Sequence, residues 1–395
     1  MNDFPIAKLP KIEFGDGKIN LLPSLMTQYG NHVLLVTGST FLTATEQWQN
    51  LIRALQQHSI NWQQFVVAGE PSPTMVDGAV KQYRASNIEL VVGIGGGSVL
   101  DAAKAIAGLL RVKHSVMDYL EGVGPELAYQ GPSVPFIAVP TTAGTGSEAT
   151  KNAVLSVLDK QHGFKKSFRH ELLVADYALV DPELLSSCPT DLIAANGMDA
   201  LTQLIESYVS IKANAFTDGL AWSGLKAVKA GLLPWYEMNA DTRHAQAHMA
   251  YAALISGITL AQVGLGSVHG LASPMGAFFP IPHGVVCGTL LADATLINIT
   301  AMQTREPNHV ALKKYADIGR LLADNSQLDD EPAQQTLIDI LQDWTQRMRV
   351  PLISEFAVQT SDLDHIVAHA RGSSMKTNPI MLTDDEIKRI LLARV

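Results

Sequence analysis

The sequence predicts an α/β half followed by an all-helical half. Three observations carry this. Between residues 32 and 139, short apolar runs alternate with helical stretches, the order that builds an open, mostly parallel sheet with helices on both faces. Two of the runs end in loops rich in glycine and hydroxyl residues. Beyond Asp181 and Pro182, strand-like runs nearly vanish. At 395 residues the chain is too long for one typical core, so two domains are expected, 1–185 and 186–395.

The elements follow in order. Residues 32–37 (HVLLVT) read as a strand ending at Gly38, and 45–58 as a helix. A second strand covers 61–68 and a second helix 73–86. A third strand, 90–94 (LVVGI), runs into a glycine cluster, and 98–110 is a third helix. Residues 135–139 (PFIAV) are a fourth strand. In the second half, 184–208, 215–233, 240–260, 285–298, 311–322, 333–347, 362–370 and 383–392 read as helices. The acidic stretch 324–331 reads as a solvated loop.

Composition excludes several classes. With 47% hydrophobic residues the chain can bury a core, and a net charge of −9 offers no nucleic-acid surface. Two cysteines, Cys188 and Cys287, cannot make a disulfide framework and fit a reducing, cytoplasmic setting. The first 17 residues lack the basic and apolar regions of a secretion signal, and no uncharged apolar run reaches the ~18 residues of a membrane span. The expected partners are therefore a small-molecule substrate and, as is common for enzymes, a second copy of the chain; no nucleic acid or membrane is expected.

Three motifs carry chemistry. The first, Gly93-Ile94-Gly95-Gly96-Gly97-Ser98, follows a strand and opens a helix. Glycines there let backbone approach a phosphate, and free N–H groups at a helix start favour an anion. Asp101 and Lys104 lie in the first turns, within side-chain reach of such a ligand. The spacing departs from the standard dinucleotide fingerprint, and a lone glycine cluster also makes plain turns. The second, Pro140-Thr141-Thr142-Ala143-Gly144-Thr145-Gly146-Ser147, again follows a strand. Its hydroxyls suit a pyrophosphate or ribose, and two such loops share one rim of the sheet.

The third motif lies in the helical half. Asp199 and Gln203 are four apart and share a helix face, followed later by His269 and His283. One carboxylate and two imidazoles suit Fe²⁺ or Zn²⁺. His269 and His283 are flanked by glycine and proline, which predicts irregular backbone around them. The pairs His244/His248 and His365/His369 also have ligand spacing, but read as helix-surface residues.

Taken together, these segments resemble the iron-containing, or group III, alcohol dehydrogenases, nearly end to end. The opening 12–17 (IEFGDG), both loops, 197–202 (GMDALT) and the closing 375–383 (MKTNPIMLT) carry the resemblance in combination and order. It implies a dehydroquinate synthase-like architecture, with a nucleotide-binding α/β domain, a helical metal-binding domain and the site in the cleft between them. It implies that Gly95, Gly96, Gly97, Ser98, Asp101, Thr141, Thr142, Thr145 and Lys165 meet the dinucleotide, with Gly38, Ser39 and Ser72 beside them. It implies a metal, Fe²⁺ or Zn²⁺, on Asp199, His269 and His283.

Two positions depart from the family. Gln203 stands where a third metal histidine is typical, and a neutral amide oxygen makes it a weak fourth ligand. Ser273 stands where a further histidine near the substrate is common, and can pass a proton without acting as a base. The catalytic candidates are thus His269, His283 and Ser273, and the expected reaction is hydride transfer between NADP or NAD and a small alcohol or carbonyl.

The alternatives are a maleylacetate-type reductase, with Arg169, His170 and Lys212 as candidate carboxylate anchors; a lyase or cyclase on the same scaffold; and a metal-free relative with a binding role. Gly38 sits where NAD-preferring members carry an aspartate. Without that carboxylate a 2′-phosphate meets no repulsion, so NADPH is expected to be accepted and modestly preferred.

Overall fold

The computed structural model describes residues 3–38, 45–238 and 242–395. Ser39, a cofactor-binding expectation, lies outside the described residues. The chain divides into two compact units, one of Ile6–Val157 with Lys165–Cys188, the other of Pro189–Val395 with Leu158–Phe164 and the first few residues.

The first unit is built on a six-stranded sheet. Its strands are β1 (Lys11–Phe14), β2 (His32–Gly38), β3 (Asn61–Val67), β4 (Leu90–Gly95), β5 (Phe136–Pro140) and, after a separate pair β6 (Asn152–Val157) and β7 (Phe164–Arg169), β8 (Tyr177–Val180). The spatial order is β1-β8-β5-β4-β2-β3, and every neighbouring pair is parallel. Strands β4 and β5 are buried along their whole length, as central strands covered on both faces must be, whereas edge strand β3 alternates exposed and half-buried positions.

Four helices serve this sheet: α1 (Leu22–Met26), α2 (Glu46–Gln57), α3 (Pro73–Tyr83) and α4 (Gly97–Leu109). Thr45 caps α2 by accepting from Trp48 N at 3.2 Å, and Ser72 caps α3 by accepting from Met75 N at 3.2 Å, ahead of Pro73. One face of the sheet buries Val33, Leu35, Leu90, Ile94, Ile137 and Leu179 against Leu22, Met26, Leu51 and Leu55. Each such burial stabilises the unit by about 1.5–3 kcal/mol. Four strands go beyond the sequence expectation: β1, β6, β7 and β8. β1 and β8 have only four residues each, too short for alternation to show, yet β8 lies between β5 and β1 within the sheet.

The second unit is helical: α5 (Thr190–Val209), α6 (Ala215–Tyr236), α7 (Thr242–Val263), α8 (Ser267–Phe278), α9 (His283–Arg305), α10 (Val310–Ala323), α11 (Asp330–Arg347), α12 (Leu363–His369) and α13 (Asp384–Leu392). Among the described residues α9 alone is a single helix long and apolar enough to cross a membrane, with a mean hydropathy of 1.6. It is a core helix, with 83% of that stretch buried. The axes of α7 and α8 are bent by 99° at the break between them.

Candidate metal centre and nucleotide loops

Helix α5 presents Asp199, Gln203 and Glu206 at positions i, i+4 and i+7, and all three are buried. Polar side chains so placed need partners, and helices α8 and α9 supply them.

The sequence predicts irregular backbone around His269 and His283. The structure corrects this: both lie in the first turn of a helix, with Gly266 and Pro282 just before, while Gly270, Pro274 and Gly284 lie inside the helices. At the α7–α8 break Gly264 takes a positive φ of 72°, and Gly266 has no room for a side chain. A Cβ on Gly266 would stand 2.8 Å from Asn378 Oδ1 and 2.9 Å from Glu206 Oε1. Those two oxygens are the cap of α8. Ser267 N donates to Asn378 Oδ1 (3.0 Å) and Val268 N to Glu206 Oε1 (2.7 Å). A helix start needs such acceptors, and here they come from other elements. Asn378 is fixed in turn by Nδ2 donating to Asn298 Oδ1 at 2.7 Å. Thr377 Oγ1 donates to Leu265 O at 2.6 Å.

On α9, Gly284 and Gly288 let the helix close on α5. A Cβ on Gly284 would meet Ala195 O at 2.4 Å, and one on Gly288 would meet Met198 Cβ at 2.9 Å. His283 opens α9, and Cys287 lies one turn on, on the same face.

The result is a buried cluster. His269 Nε2 lies 3.2 Å and His283 Nε2 3.8 Å from Asp199 Oδ1, while Cys287 Sγ lies 3.6 Å from His269 Nε2 and 3.8 Å from His283 Nε2. All four ligand atoms fall within 4.8 Å of one another. Metal bonds of about 2.0–2.3 Å put the edges of a tetrahedron at roughly 3.3–3.8 Å, close to the four separations of 3.2–3.8 Å found here. Asp199 Oδ2 is buried with no hydrogen-bond partner among the described residues, which a cation would remedy.

Glu206 Oε2 lies 2.6 Å from His269 Nδ1. A carboxylate only accepts, so Nδ1 carries the proton there and Nε2 faces the centre, the orientation a metal histidine needs. Burial works against the Asp199 charge, but His283 and His269 outweigh it and hold the carboxyl down at about 2. Burial likewise opposes charge on His269, yet Cys287, Glu206 and Asp199 carry its pKa well above the usual value. Burial pushes the Cys287 thiol up to about 12.

Gln203 is beside the cluster, but its Oε1 accepts from Ser256 Oγ at 2.8 Å and its side chain hydrogen-bonds Asp199. Ser273 is half-buried on α8, one turn beyond His269. His244/His248 and His365/His369 lie outside the cluster; the second pair packs on Phe278. Sequence reasoning missed Glu206 and Cys287. The signals were there: Glu206 continues the Asp199 face at i+7, and Cys287 follows His283 at i+4.

The two loops rich in glycine and hydroxyl residues lie against each other. Thr141 N donates to Gly95 O at 3.0 Å. A Cβ on Gly96 would stand 3.2 Å from Thr142 Cγ2, and one on Gly97 2.6 Å from Thr145 Cγ2. These glycines are therefore demanded by the neighbouring loop before any ligand arrives. Gly96 ends the loop and Ser98 lies in the first turn of α4, where N–H groups stay free.

The expectation that Lys104 reaches a ligand is overturned. Its ammonium is buried, donating to Ser147 O (2.8 Å), Thr150 Oγ1 (2.9 Å) and Asn152 O (2.8 Å). It is the post that holds the second loop to α4, although burial pulls its pKa down. Asp101 is drawn into the same framework, accepting from Ser147 Oγ and from Val154 N (3.0 Å). Glu148 is buried beside them, and desolvation lifts its pKa to about 7. Lys165 on β7 is ion-paired with Glu70 at 2.7 Å, Ser72 caps α3, and Gly38 ends β2.

The family model for iron-containing alcohol dehydrogenase matches residues 10–182. That for the C-terminal part of the Fe-containing alcohol dehydrogenase family matches residues 193–395. The NAD-dependent methanol dehydrogenase of Bacillus methanolicus is 29% identical over 386 residues, covering 97% of each chain. Two solved structures, each 26% identical to this chain, share the fold. A 1,3-propanediol oxidoreductase superposes with a TM-score of 0.89 over 100% of both chains. The sulfoacetaldehyde reductase of Bifidobacterium kashiwanohense, in complex with NAD⁺, does so with a TM-score of 0.83 over 100% of this chain and 99% of that one.

Proposed function

Since the chain belongs to the iron-containing alcohol dehydrogenase family, we propose that it exchanges hydride between a nicotinamide cofactor and a small alcohol or its aldehyde or ketone, using a divalent metal held by Asp199, His269 and His283. The buried donor cluster, with its unpaired Asp199 Oδ2, is the observation that carries this. Fe²⁺ is the metal the family is named for, and Zn²⁺ suits the same donors.

Bound there, the cation supplies Lewis acidity toward a substrate oxygen, and the nicotinamide supplies or takes the hydride. The chain's own residues do the rest. Asp199 contributes a buried negative charge, and Gln203 steadies it. Glu206 holds the His269 proton on Nδ1 and leaves Nε2 to the centre. Ser273, one turn beyond His269 on α8, is the hydroxyl we assign to passing a proton.

In the α/β unit the facing loops at Gly95–Ser98 and Thr141–Thr145 form the seat we assign to the dinucleotide phosphates, with the N-terminus of α4 offering N–H groups to an anion. Lys104, Asp101 and Ser147 keep that seat rigid. Lys165, Ser72 and Gly38 complete the cofactor-binding set.

The maleylacetate-type alternative is not favoured. Arg169 is ion-paired with Glu121 at 2.9 Å, and His170 caps the turn at Glu171–Leu173. Neither Cys188 nor Cys287 is in a disulfide, which agrees with a reducing compartment, and the proposal includes a cytoplasmic location and a homo-oligomer, most simply a dimer.

The test is metal analysis of purified protein, joined to a reductase screen over aldehydes with NADH and NADPH. His269→Ala is expected to lose both the metal and all turnover, while His365→Ala on the exposed pair keeps both. A His269→Ala protein with full metal content would overturn the assignment.

A further inference from the structure

We infer that Cys287 is the fourth protein ligand of this metal, and that its sulfur turns the centre toward Zn²⁺ over Fe²⁺. This rests on the assignment of Asp199, His269 and His283 as ligands, and adds the identity of the remaining donor.

Gln203 does not fill the fourth place. Its oxygen already accepts from Ser256 Oγ at 2.8 Å, and a neutral amide is a weaker donor for these metals than a thiolate or an imidazole. Cys287 has the opposite disposition. It is fully buried on the one face of α9 that also carries His283. A buried free cysteine is most often apolar filling. This one instead lies 3.6 and 3.8 Å from the two imidazole Nε2 atoms, both within the span expected between ligands of one ion. Asp199 on α5, His269 on α8, and His283 and Cys287 on α9 thus bring four ligand atoms within 4.8 Å of one another.

Coordination forms one metal–sulfur bond and breaks the S–H bond, the proton leaving to solvent, with no change of oxidation state. A thiolate is the softest donor of the set and favours Zn²⁺. It also changes the charge. Two anionic and two neutral donors around a divalent ion make a neutral centre, where an aspartate and three histidines leave one positive charge. The lost imidazole at position 203 is thus replaced in number, from a different helix, by a donor of different character.

The experiment strips the purified enzyme with a chelator and reloads it with Co²⁺ alone. A thiolate-to-cobalt charge-transfer absorption in the near ultraviolet is expected in the wild-type protein, which needs no substitution to be read. Cys287→Ser and Cys287→Ala are expected to bind Co²⁺ without that band, and Gln203→Ala to keep it. In competition between Zn²⁺ and Fe²⁺, Cys287→Ser is expected to weaken Zn²⁺ by at least about tenfold, narrowing the preference by a like factor.

Wild-type protein that binds Co²⁺, loses it on His269→Ala, and shows no charge-transfer band would overturn the role of Cys287 and leave the metal centre standing. So would a Zn²⁺-to-Fe²⁺ preference unmoved by both cysteine variants. Wild-type protein that binds none of the three ions would overturn both assignments.

Discussion

Among the described residues, a Cβ on Gly38 would touch only Val99 Cγ2, at 3.7 Å. Gly38→Asp is therefore sterically mild, and it restores the carboxylate that repels a 2′-phosphate. Steady-state kinetics with both cofactors are expected to show NADPH use depressed and NADH use spared. A wild-type enzyme with no NADPH turnover would sink this argument. Glu148 gives a pH prediction. Its carboxyl is raised from 4.5 to about 7 by burial, so it holds its proton more tightly in the folded chain than in the unfolded one. The stability it contributes is complete below 4.5 and is lost as pH rises through 7. Glu148→Gln, which cannot ionise, is expected to flatten the fall of melting temperature over that range; an unchanged profile would refute it. Residue by residue, Asp199, His269 and His283 were legible because short motifs frame them. Glu206 and Cys287 were not, because their meaning lies in neighbours from distant helices, His269 being 63 and 18 positions away.

Elements show how those neighbours are brought together. Gly284 and Gly288 form the side of α9 that meets α5, and the obstacle at Gly284 is the backbone oxygen of Ala195, which cannot rotate away. Gly284→Ala is expected to part the helices, at a cost of about 1–3 kcal/mol of stability. Metal content should fall with the melting temperature. A stable variant with full metal would show that the contact does not set the centre. Helix α8 was the element the sequence hid. Gly270 and Pro274 beside His269 read as irregular backbone, and no side chain of its own caps it. Its start is held by Glu206 and Asn378, which no local pattern reveals. By contrast α9 was legible but read too short, from 285 to 298. Asn298 resembles a terminus in sequence, while in the structure it is buried and bonded to Asn378.

For the molecule as a whole, the fold class was plain from the alternation of runs, and the missing strands β1 and β8 were lost to brevity. Each unit has its own core, so a metal that binds only the folded helical unit is expected to stabilise that unit through mass action, by about 2.7 kcal/mol at a hundredfold excess over Kd. Chelation should lower the unfolding temperature, and added Zn²⁺ should restore it. Amide exchange should quicken at the starts of α8 and α9 and stay slow in β4 and β5. Uniform loss of protection across both units would contradict this.

The Asn378 cap gives the centre a birth order. The ligands are all translated by residue 287, yet the side chain that receives Ser267 N comes 111 positions later in the chain. A growing polypeptide thus carries every donor for about 91 further residues before the clasp at the start of the His269 helix is made. A chain cut after residue 374 should hold metal loosely, although it lacks none of the four ligands.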